Sequence, residues 1–283
     1  MSETTAECLR SFPNCYHEEI QVAPRAFGIC ARTTKEGKTD LAQFIANRGS
    51  KAVDEAIRVG WELNEAPKRV IRLRQSRLQR LEAAYVQSCL PDCNKKWVEM
   101  ARNILVRNNV DISEFVGAVR LLLEKGRGKY RNILVTVPSS CGKTFILNPL
   151  CAIYDTFCNP ASTSFAWVGV EHSEVIFLND FRWSAQVIPW HNLLLLLEGA
   201  IVHFPAPKTH YAEDIIFEKD VPVFATAKEH LYFSFVQGGA VHRVETEMMR
   251  VIWRSFQFYS QIPQDEQVDI LPCPRCFAEF ILH

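Results

Sequence analysis

Residues 132–144, NILVTVPSSCGKT, decide the fold. Asn132 to Val137 is a short apolar run rich in branched residues, the composition of a buried strand. It leads into a turn closing on Gly142-Lys143-Thr144, after which Phe145 to Phe157 follow helical spacing. Strand, glycine-lysine turn and helix in that order make a phosphate-binding loop. Backbone amides at a helix start face the anion, Lys143 reaches the terminal phosphates, and the Thr144 hydroxyl is placed for a magnesium ion. Pro138, Ser139, Ser140, Cys141, Gly142, Lys143 and Thr144 are the candidate nucleotide contacts, although the Cys141 side chain should point away from the cradle. The first glycine of the usual pattern is replaced by Val137. The competing reading is that Gly-Lys-Thr merely starts a helix.

Downstream, Val175-Ile176-Phe177-Leu178 is a second buried strand, and Asn179-Asp180 emerge at its carboxyl end. An acid there holds magnesium through water and polarises an attacking water. Asn179 stands where a second acid is expected, and an amide orients water without acting as a base. Alternatively, Asn179-Asp180 is an Asx turn ending a strand. Further strands are predicted at Phe165 to Val168, Ala200 to Phe204, Ile215 to Glu218, Val221 to Thr226 and Val251 to Phe258, with a buried helix at Pro189 to Leu197. Strands alternating with helices around such a loop predict an α/β P-loop NTPase with a central, mostly parallel sheet, the loop lying at its carboxyl edge.

Upstream, the pattern is helical. Leu41, Phe44, Ile45, Val53, Ile57 and Trp61 recur at three-to-four spacing. Pro67 suggests the first turn of another helix reaching about Ser88. Lys96 to Val106 make a third helix, and a fourth is expected from an N-cap at Ser113 to a stop at Gly126. The expected organisation is therefore a tail over 1–39, an all-helical region over 40–128, a nucleotide-binding domain over 129–262 and a cysteine-containing tail over 263–283.

The 283 residues are 48% apolar and 23% charged, a globular composition. Thirty-two basic residues balance 32 acidic ones, so overall charge points to no nucleic-acid partner. The polar, acidic start lacks the pattern of a signal peptide, and the longest aliphatic run, Leu193 to Leu197, is too short for a bilayer. An intracellular protein with no membrane partner is expected, its ten cysteines held as thiols or metal ligands.

The order PSSCGKT, VIFLNDFRW and then PVFATAK (residues 222–228) resembles the superfamily-3 helicases of parvoviruses, papillomaviruses and circular single-stranded DNA viruses, and of related mobile elements. The resemblance covers roughly residues 129–260, and Gly37 to Leu41 is similar to the linker preceding the helicase part of Rep proteins. It implies an AAA+-like homo-oligomer, a hexameric ring that hydrolyses ATP with Mg²⁺ and moves along single-stranded DNA during replication, with a nuclear location. Lys143 and Thr144 then match the phosphate and magnesium ligands, and Asp180 a Walker-B acid. Lys228 occupies the place of a phosphate-sensing asparagine, with Thr226 the other polar group nearby. The hairpin interval Val202 to His210 offers Lys208 and His210 as DNA-backbone contacts, or as solvated loop charges. Arg254, with Arg250 as second choice, matches an arginine acting on a neighbouring subunit's nucleotide, or is an ordinary strand-edge residue. The alternative function is an inactive nucleotide-binding scaffold derived from such a helicase, favoured by Val137, Asn179 and Lys228. The histidine pair and tyrosine of the associated nuclease are not found; Tyr16-His17 does not fit them.

Two features stand apart. Lys68, Arg69, Arg72, Arg74, Arg77 and Arg80 crowd one stretch as solvated surface or as a DNA or subunit contact. Cys273-Pro-Arg-Cys276 has zinc-knuckle spacing, and Cys89 and Cys93 complete a zinc site only if the fold brings them close. An unligated turn is the other reading.

Overall fold

The computed structural model describes residues 50–136, 141–160, 165–207, 214–228, 234–237, 240–243, 251–263 and 271–283. The chain divides into two units at Gln75 and Ser76. In the first, the described element is α1 (Ser50–Arg74), which runs through Pro67 without ending there. The break expected at the proline falls instead at Ser76, where the local chemistry is decisive. The Ser76 hydroxyl accepts from the Gln79 amide at 3.2 Å and the Gln79 side chain accepts from the Ser76 amide at 2.8 Å. This reciprocal capping box starts α2 (Arg77–Tyr85) in the second unit.

Two more helices follow, α3 (Lys96–Arg107) and α4 (Ile112–Lys125). The cap of α4 is Asp111, two residues before the expected Ser113; its carboxylate accepts from the Glu114 amide at 2.7 Å. Gly126 ends the helix at φ +71, and a Cβ there would lie 2.1 Å from the Asp220 carbonyl.

The remaining elements are β1 (Asn132–Thr136), α5 (Lys143–Leu147), α6 (Leu150–Ile153), β2 (Thr156–Cys158), β3 (Val175–Leu178), α7 (Trp190–Glu198), β4 (Val202–Phe204), β5 (Ile215–Phe217), β6 (Val223–Ala227), β7 (Ser234–Gln237), β8 (Ala240–Arg243), β9 (Trp253–Gln257) and α8 (Pro274–Leu282). Five strands form one parallel sheet in the order β2-β3-β6-β1-β9. The helix expected from Phe145 to Phe157 is cut by Pro149 into α5 and α6, and its last residues become the edge strand β2. Residues 165–169 form turns rather than a strand. Ala166 and Trp167 are buried while Phe165 and Val168 are exposed, and Trp167 stacks with Phe157 and Phe204, ring centroids 5.4 and 4.8 Å apart.

Alternation along the strands divides the core into two layers. Ile133, Val135, Val175, Phe177, Phe224 and Phe256 face one side, against α2 to α4 and α8. Leu134, Ile176, Leu178, Val223, Ala225 and Trp253 face the other, against α7 and the β4–β5 ribbon. The helices before the sheet thus share its core, so no boundary falls at residue 128 within this unit. The result is a mixed α/β fold of P-loop NTPase type, with the glycine-lysine turn leaving the carboxyl end of inner strand β1.

The basic stretch is split by the same packing. Arg77 Nε donates to the Leu123 carbonyl at 2.6 Å. Arg80 is buried, pairs with Glu174 and lies 5.4 Å over the Tyr154 ring. These two are therefore structural cations of α2 and not solvated surface.

Candidate nucleotide-binding site

Parallel register brings the carboxyl ends of three strands together. Thr136 of β1 stands beside Ala227 of β6, and Leu178 of β3 stands beside Ala225. The residues immediately after these positions therefore share one edge: Gly142 to Thr144 beyond the loop, Asn179-Asp180, and Lys228. In open α/β sheets that edge is where ligands bind.

Gly142 begins α5 at φ +80. A Cβ at that position would lie 2.6 Å from Ile104 Cδ1 and 3.1 Å from Ile262 Cδ1. Both the left-handed backbone and this wall of α3 require glycine. Cys141 is fully buried and belongs to the core layer shared with α2 to α4 and α8. Burial pushes its thiol up, against the opposing pull of Lys143.

Lys143 is buried, and its ammonium is paired with the half-exposed Asp180 carboxylate. A buried ammonium needs a counter-charge, and this one comes from the end of β3. Asp180 adopts φ +51, a left-handed turn that aspartate tolerates better than most residues. Its backbone N–H donates to Thr226 Oγ1 at 2.8 Å. Thr226, fully buried, donates in turn to Asn179 Oδ1 at 2.9 Å. Thr144 Oγ1 donates to that same oxygen at 2.8 Å. One amide oxygen thus accepts two hydroxyl protons, its full capacity. The Thr144 hydroxyl proton is committed to Asn179, which leaves the Thr144 oxygen lone pairs available to a cation. Together with the Asp180 carboxylate they form a hard-oxygen donor set of the kind a small divalent cation takes.

Of the other expected residues, Lys228 is exposed directly after β6, at this edge. Arg254 is not at it. It pairs in register with Ile133, three positions before Thr136, roughly 10 Å short of the strand ends. Its guanidinium is 3.0 Å from Glu114 Oε1 on α4 of the same chain. Val137, Pro138, Ser139, Ser140, Lys208, His210 and Arg250 lie outside the described residues. β4 and β5, which flank the expected DNA hairpin, pair antiparallel.

The sequence reading did not single out Arg127. It is fully buried and donates to the carbonyls of Lys219 at 2.8 Å and Leu196 at 3.0 Å, with its charge 4.9 Å over the Phe217 ring. No pattern in the sequence distinguishes it from a surface arginine of a loop.

A second constellation lies away from the strand edge. Cys273 and Cys276, at the start of α8, meet Cys89 and Cys93 from the loop between α2 and α3. All four sulfurs lie within 4.8 Å of one another.

No protein-family model matches the chain, and no curated protein matches it. Among solved structures it is similar to the JCV helicase, determined with a bound acetamide compound, at 15% identity and a TM-score of 0.47. The alignment covers 77% of this chain and 62% of that one, so the chain spans less than two thirds of that helicase. Among the described residues no helix is long and apolar enough to cross a membrane.

Proposed function

We propose that this chain is an ATP-dependent DNA translocase of the Rep-like superfamily-3 type, working as a homo-oligomeric ring with Mg²⁺. The observation that carries the reading is the hydrogen-bonded chain Asp180 N–H to Thr226 to Asn179, joined there by Thr144, with Lys143 paired to Asp180 beside it. It ties the ends of β3 and β6 to the start of α5, where a phosphate loop needs its lysine, hydroxyl and acid together.

In this mechanism the amides of Gly142 to Thr144 receive phosphate oxygens, and Lys143 exchanges Asp180 for the terminal phosphate. Released from Lys143, the Asp180 carboxylate would be one of the groups holding magnesium through water, and it would polarise the attacking water. Asn179 takes the Thr144 hydroxyl proton, and the Thr144 oxygen would be the other protein group holding the cation. Magnesium supplies charge neutralisation at the phosphates. Lys228 approaches phosphate as a point charge. Arg254 serves a neighbouring subunit only after leaving Glu114. Lys208 and His210 contact the backbone of single-stranded DNA.

A second reading, a non-catalytic nucleotide-binding scaffold, is favoured by one observation. The oxygen beside Asp180 that receives both hydroxyls belongs to an amide, not to an acid. Steady-state ATPase with and without single-stranded DNA, beside Lys143→Ala, separates the two. The translocase predicts turnover that DNA stimulates and the substitution abolishes. Nucleotide binding without turnover supports the scaffold and contradicts the translocase.

A further inference from the structure

Cys89 and Cys93 lie 180 residues or more from Cys273 and Cys276 in sequence, yet the four converge on one point. Cys89 Sγ lies 3.4 Å and Cys93 Sγ 3.6 Å from Cys276 Sγ. Tetrahedral zinc with Zn–S bonds of about 2.3 Å places its four sulfurs about 3.8 Å apart. The 3.4 and 3.6 Å spacings fall just below that value, and all four sulfurs stay within 4.8 Å of one another, which suits a single ion. The sequence spacings, three residues between Cys89 and Cys93 and two between Cys273 and Cys276, fall in the range that closes a four-cysteine site. Three of the four are buried and Cys89 is half-buried, so bulk water is largely excluded.

Positive charge also lies close to the sulfurs. Cys273 caps the N-terminus of α8, the positive end of a nine-residue helix. Arg275 Nη1 lies 3.9 Å from Cys89 Sγ. Arg275 is itself held by Glu279, which also receives Lys95 at 2.9 Å. Four thiolates around one dication leave a net double negative charge. A guanidinium beside the sulfurs is an outer contact of the kind such a centre uses.

We propose that these four thiolates bind one structural zinc ion, which locks the C-terminal helix α8 against the loop between α2 and α3. The site is closed: four protein ligands leave no open position, so it stabilises the fold and performs no chemistry. It locks an element with reach. Trp97 of α3 contacts Phe277 and Phe280 of α8, ring centroids 5.7 and 6.1 Å away. On its other side Trp97 stacks at 5.5 Å on Phe145, the residue after Thr144. The inference does not depend on the nucleotide reading.

The test is metal analysis of the full chain, purified without chelator and desalted. One zinc per chain is expected, released when a mercurial titrates four thiols. Cobalt substitution should give the intense visible bands of a tetrahedral four-thiolate site. Cys276→Ser should lose zinc or shift the cobalt spectrum to fewer sulfur ligands, whereas Cys151→Ser, outside the cluster, keeps full stoichiometry. Should Cys276→Ser fail to fold, the cobalt spectrum of the unaltered chain still decides. Zinc-free folded protein with four freely reactive thiols, a disulfide among them, or iron in place of zinc overturns the proposal.

Discussion

Thr226 shows how much a single hydroxyl organises. It accepts the Asp180 amide and donates to Asn179, and it is fully buried on β6. Valine keeps its shape and removes both bonds, leaving a buried N–H without its acceptor. Thr226→Val should cost about 1–3 kcal/mol in urea unfolding. It should also weaken nucleotide binding, because Asn179 and Thr144 lose their shared anchor. A variant as stable as the parent would mean that the network is dispensable. Residue chemistry of this kind was legible where it is demanding. Gly142, Lys143, Thr144, Asp180 and Thr226 stood out because few residue types fill those places. Arg127 did not stand out, because its burial follows from distant carbonyls on α7 and β5 that no local pattern reveals. Arg77 and Arg80 carried charge as a visible signal, yet their partners at Leu123 and Glu174 are set by tertiary packing.

Element boundaries follow local chemistry where it is strong. β3 falls on the four apolar residues that predict it, since a strand buried on both faces admits little else. Pro67 misplaces the first helix break, because the Ser76–Gln79 capping box determines where α2 starts. Ser76→Ala should therefore destabilise the protein by about 1 kcal/mol. The measurement is a denaturant midpoint that falls at unchanged slope. No change would show that packing of Leu81 and Ala84 alone sets this start. The turn at 165–169 escaped because a short apolar run around a buried tryptophan mimics a strand. α8 escaped because a nine-residue segment beside a cysteine pair looks like a tail, whereas its Phe277, Phe280 and Ile281 belong to the core.

For the molecule as a whole, one five-stranded sheet carries two layers of core and brings the candidate nucleotide ligands to one edge. The four-cysteine cluster lies in the helical layer, linked to that edge through Trp97 and Phe145. Removing zinc with a strong chelator should lower the thermal midpoint and loosen α8, read as faster amide exchange in residues 274–282. An unchanged midpoint in protein shown to have lost its metal would leave the cluster without a structural role. The central claim is that the edge formed by Gly142, Lys143, Thr144 and Asp180 binds a nucleoside triphosphate with magnesium. Isothermal calorimetry of the full chain with ATP, with and without Mg²⁺, beside Lys143→Ala tests it most directly. The account predicts one site per chain, tightened by magnesium and weakened at least about tenfold by the substitution, a change of about 1.4 kcal/mol. Absence of binding to the folded parent chain, or equal affinity in Lys143→Ala, would contradict it.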